Sequence, residues 1–143
     1  MTLLLIHAAA TLYMTGLIWF VQLVHYPLMA KVGTEGYHNY QLAHERLTTW
    51  AVGPPMLVEL VCALWLVILP FPNVPLWMTY TGFALVAVLW ISTAFLQVPR
   101  HRQLESGFNE TAHRRLVQTN WLRTAAWSLR GVLVLWMIYS AVQ

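Results

Sequence analysis

Four long stretches of the chain are apolar at nearly every position, and almost every charged residue lies between or beside them. They are Leu3 to Leu28, Val52 to Leu69, Pro75 to Val98 and Thr124 to Val142. A helix needs about 20 apolar residues to cross a hydrocarbon core about 30 Å thick, and these stretches match that length. Between the second and third, Pro70, Pro72 and Pro75 deny a continuing helix its hydrogen bonds, so a tight turn is expected there. The pattern predicts an all-α integral membrane four-helix bundle, one domain over residues 1–143, with spans at about 3–28, 52–69, 75–98 and 124–142. The first stretch is too long, and lacks the basic flank, to read as a signal peptide, so it is expected to stay as a span. No internal repeat or inter-domain linker is read in the sequence.

Helical extensions are expected where the spans meet the membrane surface. Tyr37 to Val52 reads as a helix running into Gly53-Pro54-Pro55, where missing donors predict a kink. Asn109 before Glu110 is an N-cap with a first-turn acid, so the last helix should begin near Glu110. Gly107 suits the end of a short extension of the third helix.

Composition agrees with this reading. The chain is 59% hydrophobic and 9% charged with a mean hydropathy of +0.57, where a soluble domain carries about 25% charged residues. Lipid is therefore the expected partner. The net charge of +3 does not point to nucleic acid, because the arginines flank apolar spans instead of forming a surface cluster. Lys31, Glu35, Glu45 and Arg46 fall between spans 1 and 2. Arg100, Arg102, Glu105, Glu110, Arg114, Arg115 and Arg123 fall between spans 3 and 4. The positive-inside rule places loops 29–51 and 99–123 in the cytoplasm and both termini outside. Cys62 is the single cysteine, so no disulfide or thiolate cluster is available, and the chain has no aspartate to complete a Ser/His/Asp set.

Two charges remain, Glu59 and Arg130, both inside spans. Each lies six or seven residues past the start of its span, and at 1.5 Å per residue both sit roughly 10 Å deep. Ionisable residues in membrane spans face the bundle interior, pair, and mark function, so the two are expected to meet. On the first span, His7, Thr11, Met14, Ile18, Gln22 and His25 share one helical face. This is either a polar seam between helices or, with His7 as axial ligand and Met14, Met78 and Met137 nearby, a porphyrin site. On the last helix, His113, Asn120, Arg123, Trp127 and Arg130 share a face. With Gln22, His25, Glu59 and Gln97 they define a polar pocket, lined by Trp50, Trp90, Trp121 or Trp127, that suits an anionic or aromatic molecule. His38, His44, His101 and His113 gather near the charged loops with Glu45, but their spacing matches no metal motif and no metal site is assigned.

Two family resemblances attach to these residues. His7, Gly16-Leu17-Ile18-Trp19-Phe20 and Glu45-Arg46-Leu47-Thr48-Thr49 leading into Gly53-Pro54-Pro55-Met56 resemble the HemJ-type protoporphyrinogen oxidases over residues 5–70. That resemblance implies haem b held by His7. The third span has no charge where the HemJ pattern carries a basic residue. His113 and Asn120-Trp121-Leu122-Arg123-Thr124 are similar to the bacterial four-helix membrane family related to anthrone oxygenase, which implies a pocket containing Asn120 and Arg123.

The leading expectation is a membrane oxidoreductase or oxygenase-like protein for a hydrophobic aromatic or tetrapyrrole substrate. Glu59 and His25 would transfer protons, and Arg123 and Arg130 would orient the substrate. His7, Met14, Asn120 and Trp127 would bind the cofactor or ligand. Two other readings stand beside it: an accessory subunit of a larger membrane complex, and a carrier or channel completed by homo-oligomerisation.

Overall fold

The computed structural model describes residues 1–143 and is helical almost throughout. Four long helices follow in order: α1, Thr2–Met29; α2, Tyr37–Ile68; α3, Leu76–Glu105; α4, Glu110–Ala141. Each helix packs beside two neighbours, in the ring order α1, α2, α3, α4 and back to α1, so α2 and α4 stand on a diagonal. One end of the bundle holds both termini and the uncharged turn after α2; the other holds the two charged connections. At 1.5 Å per residue these helices are about 42–48 Å long, well beyond a 30 Å hydrocarbon core. The expected interfacial extensions are therefore continuations of the same helices.

Three helices, α1, α2 and α3, are long and apolar enough to cross a membrane. The fourth does not reach that apolarity, because Arg114, Arg115, Asn120, Arg123 and Arg130 dilute it. Its polar residues are turned inward: Asn120, Arg123, Thr124 and Arg130 are all buried. The other three helices shield them, and the large apolar side chains of the bundle are left on the outside, with Phe95 74% and Ile68 65% exposed.

The interior is layered. At the terminal end Leu4, Leu66, Met78, Leu133 and Met137 pack together; midway come Met14, Ile18, Met56, Leu89 and Trp127; at the charged end come Tyr26, Met29, Tyr37, Leu104 and Leu116. Polar side chains occupy the two levels between these apolar layers.

Local sequence sets the details. Asn109 caps α4, its side-chain oxygen accepting from the Ala112 amide at 2.9 Å. Gly107 takes φ +133°, which frees the chain to reverse after α3. The kink expected at Gly53-Pro54-Pro55 is no break, for α2 runs through all three residues as one helix. Two π-helical turns interrupt other helices, Val21–His25 in α1 and Thr93–Gln97 in α3. Each is followed two residues later by a proline, Pro27 and Pro99. A proline lacks an N–H and its ring crowds the carbonyl four residues back, so the turn before it is displaced from regular α geometry. The Tyr26 and Val98 amides then reach back five residues, to Val21 and Thr93.

These turns expose a relation that the linear reading missed. Val21 and Pro27 correspond to Thr93 and Pro99 at a constant interval of 72 residues, and each turn lies in the last part of a helix whose antiparallel hairpin partner has 32 residues. The bundle is built from two hairpins of like design, α1–α2 and α3–α4, with little side-chain identity to reveal it.

Replacing Asn109 by Ala removes the only side-chain cap on α4. The expected loss is about 1 kcal/mol, seen as a lower midpoint for thermal unfolding of the detergent-solubilised protein.

Candidate functional site

The polar level nearer the termini is organised by Arg130. Its Nε donates to Glu59 Oε1 at 3.1 Å, its Nη1 donates to the Gly82 carbonyl, and its Nη2 lies 2.8 Å from His7 Nε2 and 3.4 Å from Thr11 Oγ1. Glu59 comes from α2, Gly82 from α3, and His7 and Thr11 from α1, so one guanidinium touches all three other helices. Gly82 leaves space beside this contact that a Cβ would just fill, 3.4 Å from the Met137 methyl and 4.0 Å from Nη1 of Arg130 itself. The second Glu59 oxygen accepts from Trp127 Nε1 at 2.9 Å. The expected meeting of Glu59 and Arg130 is thus a contact in the structure, and both are 2% exposed.

Because a guanidinium only donates, His7 Nε2 must accept with its lone pair, and the ring hydrogen sits on Nδ1. Nδ1 is buried without a partner. His7 therefore has no lone pair left for iron. Methionine 14 lines a cavity that His7 does not reach. The residues around His7 do not fit a haem in this packing, since axial ligation would require Arg130 to be displaced.

The second polar level lies between the middle layer and the charged end. Asn120 donates to Gln22 Oε1 at 2.8 Å and accepts from Arg123 Nη1 at 3.1 Å. Arg123 also stacks on Trp127, with Cζ 5.0 Å from the ring centroid, and lies against the Tyr26 hydroxyl. Trp127 thereby joins the two levels, its indole N–H on Glu59 and its face under Arg123. Both π turns meet α4 here: Gln22 donates to the Val117 carbonyl at 3.3 Å and Gln97 to Thr119 Oγ1 at 3.0 Å.

Beside this level is a cavity of about 410 Å³, within the range typical of small-molecule sites. Towards the middle of the bundle its wall is apolar, formed by Met14, Ile18, Val21, Val52, Met56 and Trp90; towards the charged end it is polar, formed by Tyr26, His44, Glu45, His101 and Arg123. Gly53 lies in the wall without a side chain to narrow it. The mouth opens between α2 and α3, where the lining residues Thr49, Val98 and Arg102 are exposed.

Histidines crowd the polar end. His25 Nε2 is 3.0 Å from His44 Nδ1, the two rings stack with centroids 4.6 Å apart, and Thr48 Oγ1 lies 3.1 Å from the same nitrogen. No hydrogen bond from the protein engages His44 Nε2. Gln41 donates to His101 Nδ1 at 3.1 Å and to Glu45 at 2.7 Å, which leaves His101 Nε2–H to point at the Tyr26 hydroxyl, 3.4 Å away. His113 donates to the Tyr26 carbonyl at 2.8 Å, and His38 to the Glu105 carbonyl, so these two tie helix ends together.

The expected single pocket is thus two sites. Arg123 and Met14 line the cavity, Trp127 and Asn120 hold Arg123 from behind, and Glu59, Arg130 and His7 belong to the separate tie point. His25 leaves the seam of the first helix because the π turn rotates it towards α2. Trp50 and Trp121 are 76% and 47% exposed and do not line the cavity. Tyr26 and Gln41 were not singled out from sequence; the Tyr-Pro step after a polar stripe is the signal for Tyr26, and Gln41 carries none. The chain matches no protein-family model, no curated protein and no solved structure.

Replacing Glu59 or Arg130 alone by Ala strands a buried charge and is expected to cost about 3–5 kcal/mol. The double replacement Glu59→Leu with Arg130→Met should recover much of that loss. Thermal unfolding of the three variants beside wild type measures both quantities.

Proposed function

We propose that the chain is a four-span membrane protein that takes a hydrophobic aromatic molecule from the lipid and acts on it by removing a proton. The observation that carries the reading is the segregated cavity, apolar at mid-bundle and histidine-lined at the charged end, with a mouth on the flank of the bundle. Exposed apolar side chains around α1, α2 and α3 would aggregate in water, and lipid is their natural cover. The charged end, with Lys31, Arg100, Arg102, Arg114 and Arg115, is the cytoplasmic one by the positive-inside rule, so both termini face outward. In this setting α4 crosses as the fourth span, its polar face turned to the other three helices and Leu129, Val132 and Leu135 turned out to lipid.

An apolar solute dissolved in the bilayer would reach the cavity sideways between α2 and α3. Trp90 and the aliphatic wall would hold its body while His44 met its polar edge. With Nδ1–H of His44 donated to His25 Nε2, His44 Nε2 presents a lone pair to the cavity. A proton taken there is matched by one released at Nδ1 to His25, which stands half-exposed near the cytoplasmic surface. The oxidoreductase- or oxygenase-like expectation narrows to this first step. Two π turns bordering one cavity agree with a working site, because such turns recur where helices are reshaped for function.

Titration of the purified protein with 1-naphthol should quench tryptophan emission and raise the naphtholate absorption band at a pH where free naphthol is neutral. Val52→Trp, which fills the wall, should abolish both signals, and His44→Gln should keep the quench while losing the band. Quenching that survives Val52→Trp would refute the cavity as the binding site. Topology is tested by a membrane-impermeant maleimide: Pro72→Cys should react in intact cells, and Ser106→Cys only after lysis.

A further inference from the structure

Arg123 is a buried cation with no anion. It is 6% exposed, lines the cavity, and its Nε has no partner in the protein. Within 4.0 Å the molecule contains a single ion pair, Glu59 with Arg130. Glu59 has spent both oxygens, one on Arg130 and one on Trp127, and Glu45, a carboxylate in the same cavity wall, accepts from Gln41 and makes no ion pair with Arg123. The buried charged residues are Glu59, Arg123 and Arg130, which leaves one positive charge uncompensated. Leaving a guanidinium unpaired away from water is costly, and the Trp127 face beneath it relieves that only in part.

Tyr26 adds a second donor at the same place. Its oxygen faces Arg123 on one side and the His101 Nε2–H on the other, both of which donate. The hydroxyl hydrogen is then turned from both and free for the cavity that Tyr26 lines. A rigid donor pair results, braced by Asn120 behind the arginine and Gln41 behind the histidine. Charge-assisted donors of this kind recognise an oxygen anion.

We infer that the cavity holds its ligand as a monoanionic oxygen acid, a carboxylate or phenolate on an apolar body, bound by Arg123 Nε–H and the Tyr26 hydroxyl. The inference deepens the proposed function and rests on it for the aromatic nature of that body. Arg130 takes no part. His44 receives the acid's proton, and Arg123 keeps the resulting anion where the cavity is otherwise apolar.

The test uses the full chain in lipid nanodiscs and three probes: 1-naphthoate, the neutral 1-naphthalenemethanol, and decanoate. Naphthoate should bind at least about tenfold more tightly than the alcohol, the scale of one hydrogen bond to a charged group. Arg123→Gln should erase that preference while leaving the alcohol's affinity nearly unchanged, Arg123→Lys should keep part of it, and Tyr26→Phe should lower it several-fold. Equal binding of the acid and the alcohol by wild type would overturn the inference and leave the aromatic reading standing. Arg123-dependent binding of decanoate without naphthoate would do the reverse, and failure of all three probes would overturn both. Should Arg123→Gln not fold, Tyr26→Phe decides, since it deletes one oxygen; an unchanged naphthoate preference in that variant would overturn the donor pair.

Discussion

A guanidinium removed from water must replace its whole hydration shell with protein oxygen and nitrogen, and the requirement of Arg130 fixes how four helices stand together. Its partners lie on α1, α2 and α3 while it extends from α4. The diagonal from α4 to α2 is spanned by the ion pair, where backbones in a ring of four do not touch. Sliding any helix by one turn would strip a donor of its acceptor in a low-dielectric interior. Hydrophobic layers above and below supply packing but tolerate such a slip far better, because methyl groups are interchangeable and hydrogen-bond partners are not. Arg130 therefore serves as the register mark of the bundle, and the residues around it are absorbed by that duty.

That division of labour separates two arginines that lie two turns apart on one helical face. Arg130 has a carboxylate, a carbonyl and an imidazole; Arg123, seven residues earlier, has one amide oxygen, a tyrosine hydroxyl and an indole face. Trp127 stands between them and is shared, tying its indole N–H to the Glu59 that neutralises Arg130 and presenting its ring to Arg123. A buried ion pair is weak evidence for chemistry because it satisfies itself. A buried cation in the wall of an empty volume, with an N–H that no protein group answers, is stronger evidence.

Much of this architecture is legible in the sequence because long apolar runs leave few choices. Twenty-residue apolar runs separated by charge or proline define the helices, and Asn109-Glu110 marks the start of α4 down to the hydrogen bond. Glu59 and Arg130 betray each other simply by being the two charges within the spans. The cavity was less legible for a specific reason. Helical-wheel reasoning assumes 3.6 residues per turn, and the π turns before Pro27 and Pro99 break that assumption where the cavity forms. His25, counted with the His7 face, turns away to His44; Tyr26, counted with nothing, turns in. The similarity of the two hairpins escaped for a related reason: what they share is a backbone device, a widened turn set by proline, and neighbouring side chains differ.

The placement of those two turns explains why a cavity exists at all in a bundle whose interior is otherwise filled. A regular α-helix of uniform radius packs against its neighbours along its full length, and four of them leave no gap larger than their side chains fill. Displacing α1 and α3 at one level changes the facing of everything towards the charged end, and α1 and α3 are diagonal partners in the ring. Their distortions therefore act on the same central volume from opposite sides. Gln22 and Gln97 fasten both widened turns to α4, so the opening is held and does not collapse. Gly53, on the intervening α2, contributes no side chain to refill it. The opening thus follows from two prolines, two glutamines and one glycine, and the tie point at Arg130, one layer away, keeps the rest of the bundle from yielding to it.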